Sequence, residues 1–465
     1  MEREKLGSRL GFILLSAGCA IGCGNVWKFP WMCGQYGGGA FVLIYLLFLV
    51  IMGLPVMIME FSVGRASQAS VIKCYQNLEK QGQKWHYHGI AAFVGNMLLM
   101  MFYTSVAGWI LYYFVSFLKG DMTGIDNTVS SNLFDNMLSN VPVMVGFMAI
   151  VVILGFAILC FGLQKGLEKI TKYIMVFLLL LMVVLAIRGF WLDGAKEGLT
   201  FYLKPDFNEI NGNVIVGAMK QAFFTLSLGI GSMAIFGSYI GKDRTLMGES
   251  INILVLDTFV AIMAGLIIFP ACFTFDVEAG SGPSLLFVAM AKVFNNMAGG
   301  RIWGSLFFLF MFFAAMSTVL AVFENILACV REITGWKRIK ASIICCIAIL
   351  LLSLPCALGY NVLANFHPFN SSSTVLDLED FIVSNCLLPI GSLVYILFCT
   401  SKKGWGFESF INEANTGRGP KVAKCLRPYF TYVLPIIIIF LFDCSSYFLQ
   451  VNLPKQPFGF HRLFV

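Results

Sequence analysis

Polar residues are thinly spread along this chain, and the apolar stretches between them are long. A bilayer-crossing helix needs about 18 to 20 apolar residues. Eleven such runs occur, near residues 10–36, 40–60, 90–118, 141–161, 170–190, 214–239, 250–275, 302–330, 341–359, 378–400 and 429–449, numbered here as spans 1 to 11. The pattern predicts an all-α polytopic membrane protein. The connections are too short to form a separate domain, the longest lying between spans 2 and 3 and between spans 10 and 11, so residues 1–465 read as one transmembrane unit.

Two of the runs are not built merely to be stable helices. Span 1 carries Gly18, Gly22 and Gly24 at membrane depth and then a polar Asn25; span 6 carries Thr225, Ser227, Gly229 and Gly231. Clustered glycines ease unwinding, and bare carbonyls inside a membrane are tolerated only where they line a wet cavity or bind something. Freed carbonyls and an Asn oxygen are hard ligands suited to cations. Glycines that only let helices pack closely are the alternative. Two interrupted spans five apart instead favour an inverted repeat with a site at its interface. The repeats would cover about 9–190 and 205–400, with 429–449 as an additional helix.

Composition supports the membrane reading: 58% of residues are hydrophobic, 12% are charged and mean hydropathy is +0.82. The first run is too long and too glycine-rich for a cleaved signal. The net charge of +7 needs no nucleic acid to explain it. Most Lys and Arg fall on one side, including Arg65, Lys73, Lys80, Lys84, Arg331, Lys337, Arg338, Lys340, Lys402 and Lys403, as expected for a plasma-membrane protein with a cytoplasmic N-terminus. The tail after Tyr447 would then lie outside. The 14 cysteines lie mostly in apolar runs and read as small buried side chains. Trp85-His-Tyr-His88 reads as a solvated loop, and the four histidines offer no metal set. A P-loop and a paired nucleophile and base are both absent, and Gly22-Cys-Gly24 is no dinucleotide fingerprint, so the chain does not read as an enzyme.

Several motifs together resemble one family. They are Arg9-Leu-Gly-Phe12, Gly24-Asn-Val-Trp-Lys-Phe-Pro30, Gly37-Gly-Gly-Ala-Phe41, Leu54-Pro55 and Glu60-Phe-Ser-Val-Gly-Arg65. Ala107-Gly-Trp109, Gln221-Ala-Phe-Phe-Thr-Leu-Ser-Leu-Gly229, residues 314–318, Ser384-Asn385 and Leu388-Pro389 continue the series. In this order, over nearly the whole chain, they are similar to the neurotransmitter:sodium symporter family, especially its bacterial amino-acid members. The resemblance implies the leucine-transporter-like fold and sodium-driven uptake by alternating access.

It also implies two sites for transported Na+. The first would use the Ala20 carbonyl, the Asn25 side chain, the carbonyl and hydroxyl of Thr225, Asp257 and the substrate's own carboxylate. The second would use the carbonyls of Gly18, Ile21 and Ala314 with the hydroxyls of Ser317 and Thr318. Monoamine carriers of the family have an Asp at the position of Gly22, so its absence here implies an L-amino acid that brings its own carboxylate. Amides around Gly22, Cys23 and Gly24, together with Tyr103, would hold that carboxylate. The carbonyls of Phe224 and Thr225 would take the ammonium. Cys19, Leu99, Tyr103, Phe224, Ser227, Ile230 and Val322, with Thr318 nearby, would enclose an apolar or aromatic side chain.

Departures from the family pattern carry their own expectations. Asp257 stands where many relatives have Asn, and Ala261 where a chloride-replacing Glu is found, which implies uptake without chloride. A protonated Asp257 bonded to Tyr45 or Gln221 is the alternative, and makes a proton-coupled or exchanging carrier conceivable. Lys28 replaces an Arg opposite Asp380 at the outer mouth, where Tyr103 and Phe224 would form the lid, and implies a looser gate. Arg3 and Glu332 map to an inner gate beside Tyr239, although Leu6 replaces a Trp there. Val176 replaces a span 5 Pro, which shifts inner opening to residues 162–166. Cys19 and Cys23 share one helical face, and read either as pore-exposed or as packing residues.

Overall fold

A computed structural model describes residues 4–122, 127–277, 285–370 and 373–452. Nearly all of these are helical, and no strand occurs among the described residues apart from isolated bridges such as Gly38 with Pro205. Nine helices are long and apolar enough to cross a bilayer among the described residues. The pair Arg9–Ala20 and Gly24–Gln35, bent by 53°, makes a tenth when counted as one crossing. The remaining expected run, span 6, divides into Gly212–Thr225 and Ser232–Gly237, neither long enough to cross alone, because six residues between them leave the helix.

Burial separates a centre from a periphery. Span 8, Gly300–Thr334, has 83% of its apolar window buried and packs along span 3, His86–Lys119, whereas the last crossing, Lys424–Asp443, has 28%. Peripheral helices turn apolar faces outward. Ile343, Ile347 and Leu351 of span 9 are each more than half exposed and lie four residues apart, forming one stripe along the helix. Lipid satisfies such a stripe as well as a protein core would.

Buried charge ties down the ends. Arg65 is fully buried, donates to Glu413 Oε1 at 2.6 Å and to the Arg244 carbonyl at 2.8 Å, and so pins the short helix Phe407–Ala414 under span 2. Glu168, at the start of span 5, accepts from the Gly7 amide (2.7 Å) and the Ser8 hydroxyl (2.8 Å). A Cβ at Gly11 would fall 2.0 Å from the same carboxylate, so only glycine permits this approach of spans 1 and 5. One expectation fails here. His88 is half-buried within the long helix His86–Lys119 rather than in a loop, because the helix extends into the connection and Tyr75 and Tyr395 stand against its ring. His86 is half-buried and meets Glu79 Oε1 at 2.5 Å.

Candidate functional site

Span 1 starts cleanly: Ser8 caps Arg9–Ala20 by accepting from the Gly11 amide. The helix ends at Ala20, and residues 21–23 carry the chain across the break before a wide turn resumes at Gly24. Carbonyls left without helical partners point at span 8. The Ser317 hydroxyl donates to Ile21 O (3.1 Å) and Ala314 O (2.9 Å), and the Thr318 hydroxyl lies 3.3 Å from Gly18 O and 3.4 Å from both Cys19 O and Ile21 O. All five oxygens of the expected second cation site therefore sit together. They are neutral, hard and buried, a donor set that fits a monovalent cation and lacks the carboxylates a divalent one favours.

The residues of the expected first site also meet. Asn25 Nδ2 donates to Asp257 Oδ1 at 2.8 Å and to the Asp257 carbonyl at 3.1 Å, and its Oδ1 accepts from the Gly22 amide at 3.3 Å. The Thr225 hydroxyl approaches Asp257 Oδ2 at 3.4 Å. Asp257 is thus bonded to Asn25 and Thr225, not to Tyr45 or Gln221; Gln221 Nε2 instead donates to the Gly24 carbonyl at 2.8 Å, joining the two broken spans. Asp257 is fully buried, and Ala261 beside it supplies no charge.

Between the two breaks lies a small cavity, lined by Cys19, Ala20, Gly22, Gly24, Leu99, Tyr103, Phe224, Ser227, Ile230, Thr318, Val383 and Leu388. Tyr103 Oη accepts from the Cys23 amide at 3.0 Å, which places the hydroxyl on the broken end of span 1. A Cβ at Gly22 would lie 2.5 Å from both Tyr103 Oη and Thr318 Oγ1, so this position has room for no side chain. Cys23, Thr225 and Val322 do not line the cavity: each is buried, Val322 at 1% exposure. Span 10 supplies Val383 and Leu388 instead; Leu388 stood in a family motif but was given no part in the pocket, and Val383 carried no sequence signal.

The break in span 6 is longer and more contorted. Ser227 has φ 51°, Gly229 98° and Gly231 77°, three left-handed residues within five. Neighbouring helices satisfy its backbone: Asn96 Nδ2 donates to Ile230 O at 2.7 Å, Asn325 Nδ2 reaches Gly231 O at 3.4 Å and Asn96 Oδ1 at 3.2 Å, and Glu60 Oε2 accepts from the Gly229 amide at 3.5 Å. Asn96, Asn325 and Glu60 were given no role from sequence, though a polar side chain inside an apolar span is a standing pointer to one.

The outer mouth differs from expectation. Lys28 makes no ion pair with Asp380: its ammonium lies 3.6 Å from the centre of the Phe224 ring, while Asp380 accepts from Ser384 at 2.7 Å. A cation over a ring face is itself favourable by roughly 0.5 to 2 kcal/mol. On the cytoplasmic side Arg3 lies outside the described residues. Glu332 accepts from the Ser70 amide at 3.0 Å, and Tyr239 donates to Glu324 at 2.9 Å, not to Glu332. Arg338 also pairs with Glu324, and Glu4 bridges Arg331 (2.7 Å) and Arg338 (3.2 Å). Burial pushes the Glu4 carboxyl up, but the two guanidinium groups outweigh it and hold its pKa below the usual value.

A family profile, Sodium:neurotransmitter symporter family, matches residues 3–136 and 134–453. The chain is 34% identical over 436 residues to an uncharacterized sodium-dependent transporter, YhdH, of Bacillus subtilis (strain 168), covering 93% of this chain and 96% of the relative. It is 30% identical over 454 residues to an uncharacterized sodium-dependent transporter of Haemophilus influenzae, covering 95% and 98%. Among solved structures, that of MhsT in complex with L-phenylalanine matches with a TM-score of 0.86 at 33% identity, covering 96% of this chain and 100% of that one.

Proposed function

The chain belongs to the sodium:neurotransmitter symporter family and is a multi-pass, sodium-dependent transporter, and from that premise we propose that its cargo is an apolar or aromatic L-amino acid, imported by alternating access and without chloride. One observation carries the choice of cargo. Gly22 has no room for a side chain, and among the described residues none with a charge lines the cavity. The anionic group that completes the first cation's shell is then the substrate's own carboxylate, held by Tyr103 and the amides of the broken helix end. A charged substrate side chain would have to shed its water against Cys19, Leu99, Ile230, Val383 and Leu388 with no partner. L-phenylalanine bound to the structural relative agrees with this class.

Two Na+ ions bind, one in the ring of Ala20, Asn25, Thr225 and Asp257 and one between the span 1 carbonyls and Ala314, Ser317 and Thr318. In the first ring the ion and the amino acid are ligands of each other, so each raises the other's affinity by one common factor. The second ion bridges spans 1 and 8 and locks the two repeats, 9–190 and 205–400, against each other. Asp257 supplies the negative charge that chloride would otherwise bring. Lys28 over Phe224 closes the outer path, and the Glu324, Arg338 and Tyr239 cluster closes the inner one. The N-terminus is cytoplasmic.

A screen of the proteinogenic amino acids by scintillation proximity, in sodium and in choline, tests the cargo. Binding by leucine-like, methionine-like or aromatic members in sodium is expected. Preference for lysine, aspartate or an amine without a carboxylate would refute the assignment.

A further inference from the structure

Beneath the break in span 6, four titratable side chains from four helices converge: the buried Glu60 of Leu54–Ser67, Tyr75 of Val71–Leu78 and Tyr395 of Leu388–Thr400, and the half-buried His88 of His86–Lys119, whose Nε2 is covered. The His88 ring stands edge-on to both tyrosines, with centroids 5.2 Å from Tyr75 and 5.3 Å from Tyr395, and the tyrosine rings are 5.4 Å apart. Glu60 lies within electrostatic reach of both tyrosines. The Tyr75 and Tyr395 hydroxyls approach each other and the Glu60 carboxylate faces the amides of Gly229, Gly231 and Met233, while Glu60 Oε1 and His88 Nε2 lack a hydrogen-bond partner. Two such atoms, one on an acid and one on a base, are unusual in one cluster.

Gly229 connects this cluster to the cavity. Its amide donates to Glu60 Oε2 at 3.5 Å, and its backbone faces the His88 imidazole. It has φ 98°, and its neighbours Ser227 and Ile230 line the cavity. The other titratable groups facing the cluster are thiols: Cys74 and Cys399 beside the tyrosines and Cys19 beside Glu60, with Glu332 beyond Cys74. His88 is the basic side chain of the cluster itself, and Lys73 lies beyond Cys74, bonded to the Glu332 carbonyl at 3.0 Å.

A buried carboxylate with no cation is costly and tends to be neutralised or paired. A single proton does either. On Glu60 it removes the charge. On His88 it adds a positive charge to the cluster that holds Glu60.

We propose that Glu60, Tyr75, His88 and Tyr395 form a proton-binding site, and that sodium and amino acid in the cavity change its proton affinity by moving Gly229. The coupling half rests on the reading of the cavity as an amino-acid site; the proton site itself does not. By linkage the effect is mutual, and pH alters amino-acid affinity by the factor with which occupancy alters proton affinity.

The chain has four histidines, so ring nitrogen spectra of the full protein in nanodiscs, labelled only at histidine, contain few signals. His88→Gln assigns His88; if that variant does not fold, single variants of the other three assign it by elimination. Titration from about pH 5 to pH 9 is run in choline, in sodium, and in sodium with L-phenylalanine, whose binding is measured on the same samples. The His88 ring signals are expected to respond to pH in this range, with a midpoint that Glu60→Gln moves and that sodium with L-phenylalanine shifts by about half a unit or more, roughly threefold in proton affinity. A His88 whose ring signals do not respond to pH across this range, neither by its own titration nor by that of Glu60 beside it, or respond identically in Glu60→Gln, overturns the site. A midpoint unmoved while L-phenylalanine binds overturns the coupling. Should no L-phenylalanine bind, the cargo reading fails, while the comparison with Glu60→Gln still decides the proton site.

Discussion

The two interrupted spans solve different problems. Span 1 gives up three residues, 21–23, with no left-handed φ among them, and bends by 53°. Its oxygens turn toward hydroxyls of a single helix, within 3.1 to 3.4 Å. Span 6 gives up six residues, 226–231, three of them left-handed, and its backbone is held from outside by Glu60, Asn96 and Asn325. The first break makes ligands and needs only empty space around its glycines. The second makes a shaped wall and needs particular backbone conformations. Filling space should therefore disable the first, and forbidding conformations should disable the second.

The largest effect is expected from Gly22→Asp, whose Cβ alone would come 2.5 Å from Tyr103 Oη and Thr318 Oγ1. Amino-acid binding by scintillation proximity should fall by about 100-fold or more, the loss of two hydrogen bonds to a charged group. Gly229→Ala attacks the other break: it forces an L-residue to φ 98° and sets a Cβ 2.2 Å from Leu388 O. A destabilisation of about 1 to 3 kcal/mol, read as a lowered thermal midpoint, should accompany weakened binding. A Gly22→Asp protein should by contrast lose less of its midpoint, because the ends of the Tyr103 and Thr318 side chains can give way where the Leu388 backbone cannot, and equal midpoint losses would erase the distinction between the breaks. Removing one hydroxyl, in Ser317→Ala or Thr318→Ala, should lower apparent sodium affinity roughly tenfold, or ~1.4 kcal/mol, with the pocket intact. The smallest effect is expected from replacing chloride by gluconate. With Asp257 bonded to Asn25 at 2.8 Å beside the first cation ring, uptake should not change, and its loss would show that this carboxylate does not stand in for the anion.

Much of this was legible in the chain because membrane depth makes polar and small residues conspicuous. Gly18, Gly22, Asn25, Thr225 and Asp257 stand out against apolar neighbours, and their grouping follows from the motifs around them. What stayed hidden depended on side-chain direction. Lys28 was placed opposite Asp380, but the nearer Phe224 face takes the ammonium. Val383 and Leu388 are ordinary apolar residues of span 10, and only the packing of that span over the cavity gives them a part. His88 looked solvated because its neighbours Lys84, Trp85 and Tyr87 are polar or amphipathic; its partial burial comes from Tyr75 and Tyr395, one of them more than 300 residues away in sequence. Asn96 and Asn325 gave a signal that went unread, since an amide inside an apolar run rarely lacks a purpose.

The dependence of amino-acid binding on sodium tests the central claim most directly. With purified protein and radiolabelled L-phenylalanine or L-leucine, saturation binding is measured while sodium is replaced by choline at constant ionic strength. The shared first site predicts that at least one of the two ligands binds in sodium, and that its affinity falls steeply as sodium is withdrawn and is lost in choline. Affinity of equal strength in choline would mean that the loose oxygens of the broken helices cage no cation with the substrate, and would contradict the account.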